Sequence, residues 1–251
     1  MLTRDERFNR YIQLLAEDIS EGGYFTNKYP KLLEVEDDGH GLDHVTQVAK
    51  DAYTISCHME NPYGYDIVLA IAGMYHDLGR IYGREEHHMW SMGMVKENWP
   101  HIKKRLNLKG NRYITSDQIY QLVLKCILFH RHSPKHSPVI SCIEIIQVAD
   151  KLRFCDLSHI VDRSLSYRLT TVDSSKYSEL DIQDLTEDIF YYITDKYDKR
   201  LSCIPTLQQF ARVCIKDFDP KLWDRNNRKT IKTQIYHLLL QSDIAKCLSI
   251  I

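Results

Sequence analysis

A chain of 251 residues, 43% hydrophobic and 27% charged, suits one large domain, or a domain with an appendage, that buries a core. Its formal net charge of -1 argues against a general attraction to nucleic acid or to an anionic membrane. It offers no apolar run of about 18 residues to span a bilayer, and its amphipathic start MLTRDERFNRYIQLLAEDI lacks the apolar core of a signal peptide.

Residues 4–20 read as a first helix, broken by Gly22-Gly23 and Pro30. Over 42–58, Leu42, Val45, Val48, Ala49, Ala52 and Ile55 fall on one helical face. Asn61-Pro62 and Gly64 make a turn, and Asp66 is the expected N-cap of IVLAIAGMYHD. That segment is apolar almost all round, as a central buried helix would be. Residues 85–98 read as helix ending before Pro100, and Asp117 is the expected cap of QIYQLVLKCILFH. Pro134 and Pro138 interrupt RHSPKHSP, and helical spacing resumes over 139–156. SYRLTTVDSSKYSELD is polar and reads as a loop, with further helices expected near 181–198, 205–217 and 227–249. The expected fold class is all-α, with a first domain over 1–160 and a C-terminal helical extension over 161–251 packed on the same body. Seven cysteines without a C-x-x-C pair fit reduced, buried thiols in a cytoplasmic protein.

Against this helical background the His and Asp positions stand out. His44 lies near the start of its helix, His76-Asp77 close the apolar one, His87 and His88 open the next, and His130 closes the helix after Asp117. Asp150 sits among Ile145, Ile146, Val148, Ala149 and Leu152. A carboxylate buried there costs several kcal/mol unless it is paired or binds a metal. Taken singly, each has a plain alternative. A buried histidine is commonly a hydrogen-bonded core residue, Asp150 could pair with Arg153 or Lys151, and His132 and His136 suit a polar loop. Neutral imidazoles and ionised carboxylates are also the ligands that suit zinc, iron or manganese.

The order His44, His76-Asp77, Asp150 resembles the HD-domain superfamily of metal-dependent phosphohydrolases. GHGLDHVTQVAKDA is similar to its first ligand helix and AGMYHDLGR to its His-Asp signature, with Arg80 in place of the usual lysine. VADKLRF is similar to its closing Ala-Asp-Lys segment. The likeness covers roughly residues 40–156. EEHHMWSMG and LKCILFHRHS stand where the family's dinuclear branch carries two further histidines, and His87 fits the spacing to a small residue, Ser91, with His88 as the alternative.

The resemblance implies an HD-like helical bundle with extra C-terminal helices and a dinuclear, six-ligand metal centre. One ion would be held by His44, His76, Asp77 and Asp150, and the second by Asp77 as a bridge, His87 and His130. The metals implied are divalent transition ions, iron or manganese, or zinc, cobalt or nickel. The activity implied is hydrolysis of a phosphomonoester or phosphodiester, with a nucleotide favoured, by a hydroxide bridging the two ions. Asp77 would be central to catalysis. Arg80 is a candidate phosphate contact, unless it pairs with Glu85 or Glu86, and Lys151 and His40 are weaker candidates for catalytic roles. A di-iron oxygenase on the same cage and a metal-binding signalling or ligand-binding module are the competing readings. A nuclease acting on nucleic acid fits the neutral charge poorly. The apolar stripe of the final helix would serve either the body of the chain or a homo-oligomer.

Overall fold

A computed structural model describes residues 2–38, 41–60, 65–110, 113–132, 141–171, 182–199, 204–216, 218 and 227–241. The described residues contain helices and turns and no strand, so the all-α expectation holds. None of these helices is long and apolar enough to cross a membrane. The chain divides into two compact units, Met1–Lys151 and Leu152–Ile251.

In the first unit α1 (Arg4–Ile19) is followed by α2 (Tyr24–Lys28), a 3-10 segment (Pro30–Asp38) and α3 (Leu42–His58). Then come α4 (Asp66–Tyr75), a 3-10 segment (Leu78–Tyr82), α5 (His87–Glu97), α6 (Trp99–Arg105), α7 (Ser116–Phe129) and α8 (Cys142–Leu152). Every residue of α4 is buried, and α1, α3 and α7 pack around it. Because α4 lacks a polar face, it can only be stable when covered on all sides. A Cβ added to Gly73 would lie 2.7 Å from the Ala49 Cβ. That glycine lets α3 and α4 touch backbone to backbone, which brings the first turn of α3 beside the end of α4.

The caps differ from expectation. Tyr65, not Asp66, occupies the N-cap of α4, and Asp66 lies in the first turn, where both its oxygens take hydrogen bonds from Arg4 at 2.9 and 2.7 Å. Pairing with a guanidinium outcompetes a backbone cap for a buried carboxylate. Thr115, not Asp117, caps α7 through a reciprocal box with Gln118. As expected, α5 ends before Pro100, at Glu97; Pro100 itself sits in the first turn of α6, where its missing N–H costs nothing.

The second unit contains a 3-10 turn (Arg153–Cys155), α9 (Leu157–Thr171), α10 (Ile182–Lys199), α11 (Ile204–Cys214) and α12 (Arg228–Gln241). The polar stretch expected as loop from 166 is helical as far as Thr171, as the end of α9. Its core is made by stripes at helical spacing: Ile182, Leu185, Ile189 and Ile193 from α10 and Ile231, Ile235 and Leu239 from α12, with Leu157, Ile160, Val161 and Leu165 from α9. The expected boundary at residue 160 falls inside α9, whereas the division into units comes after Lys151.

Candidate metal centre

The first turn of α3, the end of α4, the start of α5, the end of α7 and the last turn of α8 meet within the first unit. They bring together His44, His76, Asp77, His87, His130 and Asp150. Five of these side chains are buried; Asp150 keeps 21% of its side chain exposed, so the cluster opens to solvent on its side.

Asp77 is the hub. On its Oδ2 side stand His44 Nε2 at 3.7 Å and His76 Nε2 at 3.5 Å, and the same two nitrogens lie 3.6 and 3.5 Å from Asp150 Oδ1. On its Oδ1 side stand His87 Nε2 at 3.0 Å and His130 Nε2 at 3.6 Å. The two oxygens of one carboxylate thus face two different pairs of imidazoles.

The ring tautomers follow from the backbone. His76 Nδ1 lies 2.8 Å from the Gly73 carbonyl, His87 Nδ1 2.7 Å from that of Arg84, and His130 Nδ1 2.7 Å from that of Ile127. A carbonyl only accepts, so each Nδ1 carries the proton and each neutral ring presents an Nε2 lone pair inward. His76 Nε2 is buried and makes no hydrogen bond. His87 Nε2 and His130 Nε2 stand 3.0 Å apart, two lone pairs aimed at each other. Neutral rings would repel there, and a shared cation removes the conflict. Two nitrogens about 2.0–2.1 Å from one zinc ion stand about 3.0–3.4 Å apart. The donor set therefore fits metal ions in chemistry and spacing. Two overlapping groups have their ligand atoms within 4.8 Å of one another, His44-His76-Asp150 and His76-Asp77-His130.

The electrostatics agree. Burial works to raise the Asp77 pKa, but the surrounding His76, His130, His87 and Arg80 outweigh it and hold the group well below the usual range. Burial likewise opposes ionisation of Asp150, and Lys151, His44 and His76 overcome it. Burial pulls the His76 pKa down, yet Asp77 and Asp150 leave it raised, as expected of a site that attracts positive charge. Burial lowers the His130 pKa by more than Asp77 restores, which keeps that ring neutral.

Local sequence explains how His87 arrives. A Cβ on Gly79 would lie 2.2 Å from the His87 carbonyl, so only glycine lets α5 sit this close to the 3-10 segment after Asp77. Gly79 N–H donates to the buried Ser91 Oγ at 2.7 Å, pinning the next turn of α5. His88 points elsewhere: its ring centre is 6.5 Å from that of His130, and burial, then Arg131, His87 and His132, depress its pKa. Arg131 reaches the Glu85 carbonyl and closes the loop before α5 on the end of α7.

Among the remaining candidates, Arg80 Nε donates to Asp77 Oδ2 at 3.0 Å. Lys151 is buried, with Nζ 2.8 Å from the His130 carbonyl and 3.4 Å from Asp150 Oδ2. His132 is exposed, and His40 and His136 lie outside the described residues. The polar residue not foreseen is Gln147, buried on α8, whose Nε2 donates to the Phe129 carbonyl at 2.8 Å. Its signal was a lone amide inside the apolar run IEIIQVA.

Comparisons with curated proteins and with solved structures return no match. Residues 41–154 match the family model of the HD domain, and that span holds every one of the six clustered side chains.

Proposed function

We propose that the protein is a metal-dependent phosphohydrolase with a dinuclear centre, acting on a phosphomonoester or phosphodiester, with a nucleotide as the favoured substrate. The HD domain match implies a superfamily of metal-dependent hydrolases. One observation carries the finer reading: the two oxygens of Asp77 face separate imidazole pairs, His44 with His76 and His87 with His130. A carboxylate has lone pairs enough on each oxygen to serve two ions at once.

In this reading His44, His76, Asp77 and Asp150 hold one ion and Asp77, His87 and His130 the other. Such a pair supplies Lewis acidity and brings the pKa of a water toward neutrality. The chain's own part is orientation and access. The carbonyls of Gly73, Arg84 and Ile127 fix three rings in the metal-binding tautomer. Arg80 steadies Asp77 through Nε. Arg80 is the candidate phosphate contact, because a guanidinium can bind two phosphate oxygens at once. In this reading substrate would approach from the side of Asp150, whose side chain is 21% exposed.

Metal analysis of the purified protein, followed by phosphate release from nucleoside mono-, di- and triphosphates and cyclic nucleotides with manganese or iron, tests the proposal. Two ions per chain and turnover of at least one phosphate ester are expected. A fully loaded protein that releases phosphate from none of them refutes the hydrolase reading, and oxygen consumption by an iron-loaded sample would replace it with an oxygenase.

A further inference from the structure

The end of α7 is fastened to α8 by two side chains, Gln147 and Lys151. The last carbonyls of a helix lack partners within it. Here Gln147 Nε2 donates to the Phe129 carbonyl and Lys151 Nζ to the His130 carbonyl, each at 2.8 Å. Gln147 and Lys151 are one turn apart, so both lie on one face of α8, and both are buried. A cation at a helix C-terminus is also favoured by the helix dipole. The His130 ring is anchored to its own helix through the Ile127 carbonyl at 2.7 Å, so wherever the helix end goes, the ring follows. Lys151 Nζ lies 3.4 Å from Asp150 Oδ2 as well. One ammonium therefore meets the backbone of His130 and the side chain of Asp150, which stand on opposite halves of the cluster.

A buried ammonium is an expensive way to join two helices. Replacing a buried ion with an apolar side chain of similar volume is often neutral or stabilising. A lysine kept here for stability alone would have cheaper substitutes.

We infer that Gln147 and Lys151 are positioning residues that hold the two metal subsites in register, by clamping the end of the His130 helix to the helix that carries Asp150. The inference rests on the dinuclear reading above. It gives Lys151 a place behind the ligands and not against substrate.

The test is a titration of the metal-free full-length chain with manganese alone, followed by calorimetry, with thermal unfolding as the fold control. Wild type is expected to take up two ions. Gln147→Leu removes the clamp without touching Asp150, and should weaken the second ion by about 10-fold or more while sparing the first. Lys151→Met should weaken both. Lys151→Arg keeps the charge but replaces the compact ammonium with a larger planar guanidinium and should fall between, which gives a reading if the leucine variant does not fold. Acting through His130, Gln147→Leu should add little to His130→Ala in the double variant. Two ions bound by Gln147→Leu and Lys151→Met as tightly as by wild type would overturn the clamp, as would full additivity with His130→Ala. Wild type binding no manganese would overturn the metal-centre reading itself, before any variant is made.

Discussion

The first unit buries acids, imidazoles and an ammonium; among the described residues of the second, Thr186 is the buried polar side chain, and it donates to the Ile182 carbonyl in its own helix. Both units are helical, yet their cores are built on different terms. The second is held by interlocking aliphatic stripes from α9, α10 and α12, which gain from burial without a desolvation penalty. In the first, some buried charges are closed off by protein partners. Asp66 is met by Arg4, and Asp18 by His101 at 3.0 Å and Arg105 at 3.4 Å. The cluster around Asp77 is different: among the described residues the buried His76 Nε2 meets no hydrogen-bond partner, and His87 Nε2 and His130 Nε2 face each other at 3.0 Å. A metal ion bound there would complete these groups, which is what the proposed function asks of them.

The sharpest way to break this contrast is at the hub. Asp77→Ala removes the one carboxylate that faces both imidazole pairs and that the proposed function makes a bridge. Losing a residue behind a ligand costs about 10–100-fold in affinity, so losing a shared ligand should cost more than about 100-fold and release both ions together. Metal counting after gel filtration reads the result directly. One ion surviving intact would show that Asp77 does not bridge.

The complementary change lies in the second unit. Ile235 is fully buried in the aliphatic core, and Ile235→Ala should cost about 2–5 kcal/mol of stability while leaving the ion count per folded chain unchanged. Denaturant unfolding with parallel metal analysis separates the two readouts. A variant of normal stability that had lost an ion would erase the distinction between the units.

A smaller effect is expected where packing serves the site. Gly79→Ala places a methyl group 2.2 Å from the His87 carbonyl and 2.4 Å from the Ser91 nitrogen. Backbone must move, at about 1–3 kcal/mol. Because the moving element carries His87, the second ion should weaken more than the first. Equal weakening of both, or of neither, would mean that α5 is not placed by this contact.

Much of this arrangement was legible in the sequence, because period and chemistry coincide there. The apolar face over 42–58 gives the limits of α3, and the run after Asp66, apolar almost all round, points to the buried α4. His44, His76, Asp77 and Asp150 stood out as polar groups on apolar faces. What stayed hidden depends on partners distant in the chain. Asp66 looks like a cap until Arg4 is known to lie beside it. Asp117 and Thr115 are both good caps two residues apart, and only the Gln118 side chain decides between them. The end of α9 reads as loop because its polar residues outvote its periodicity. Gln147 needed the Phe129 carbonyl in view before its amide had a purpose.

The smallest effect, and the one that tests the cluster without altering it, is the pH dependence of metal affinity. Binding two ions requires neutral imidazoles. Without metal, burial lowers the His76 pKa but Asp77 and Asp150 outweigh it and leave it raised, whereas burial leaves the His130 pKa lowered. Below that raised pKa the His76 Nε2 gains a proton, which an ion must displace. Below the His76 pKa each binding event releases that proton, so affinity rises with pH by about tenfold per unit, about 1.4 kcal/mol, and flattens above it. Asp77 and Asp150, both held well below the usual carboxylate range, stay ionised throughout and add no slope. Calorimetry between about pH 5 and 8 in buffers of different ionisation enthalpy measures both the slope and the proton released. A flat profile with no proton released would mean that no ion reaches His76 Nε2, and the first subsite would have to be redrawn without it.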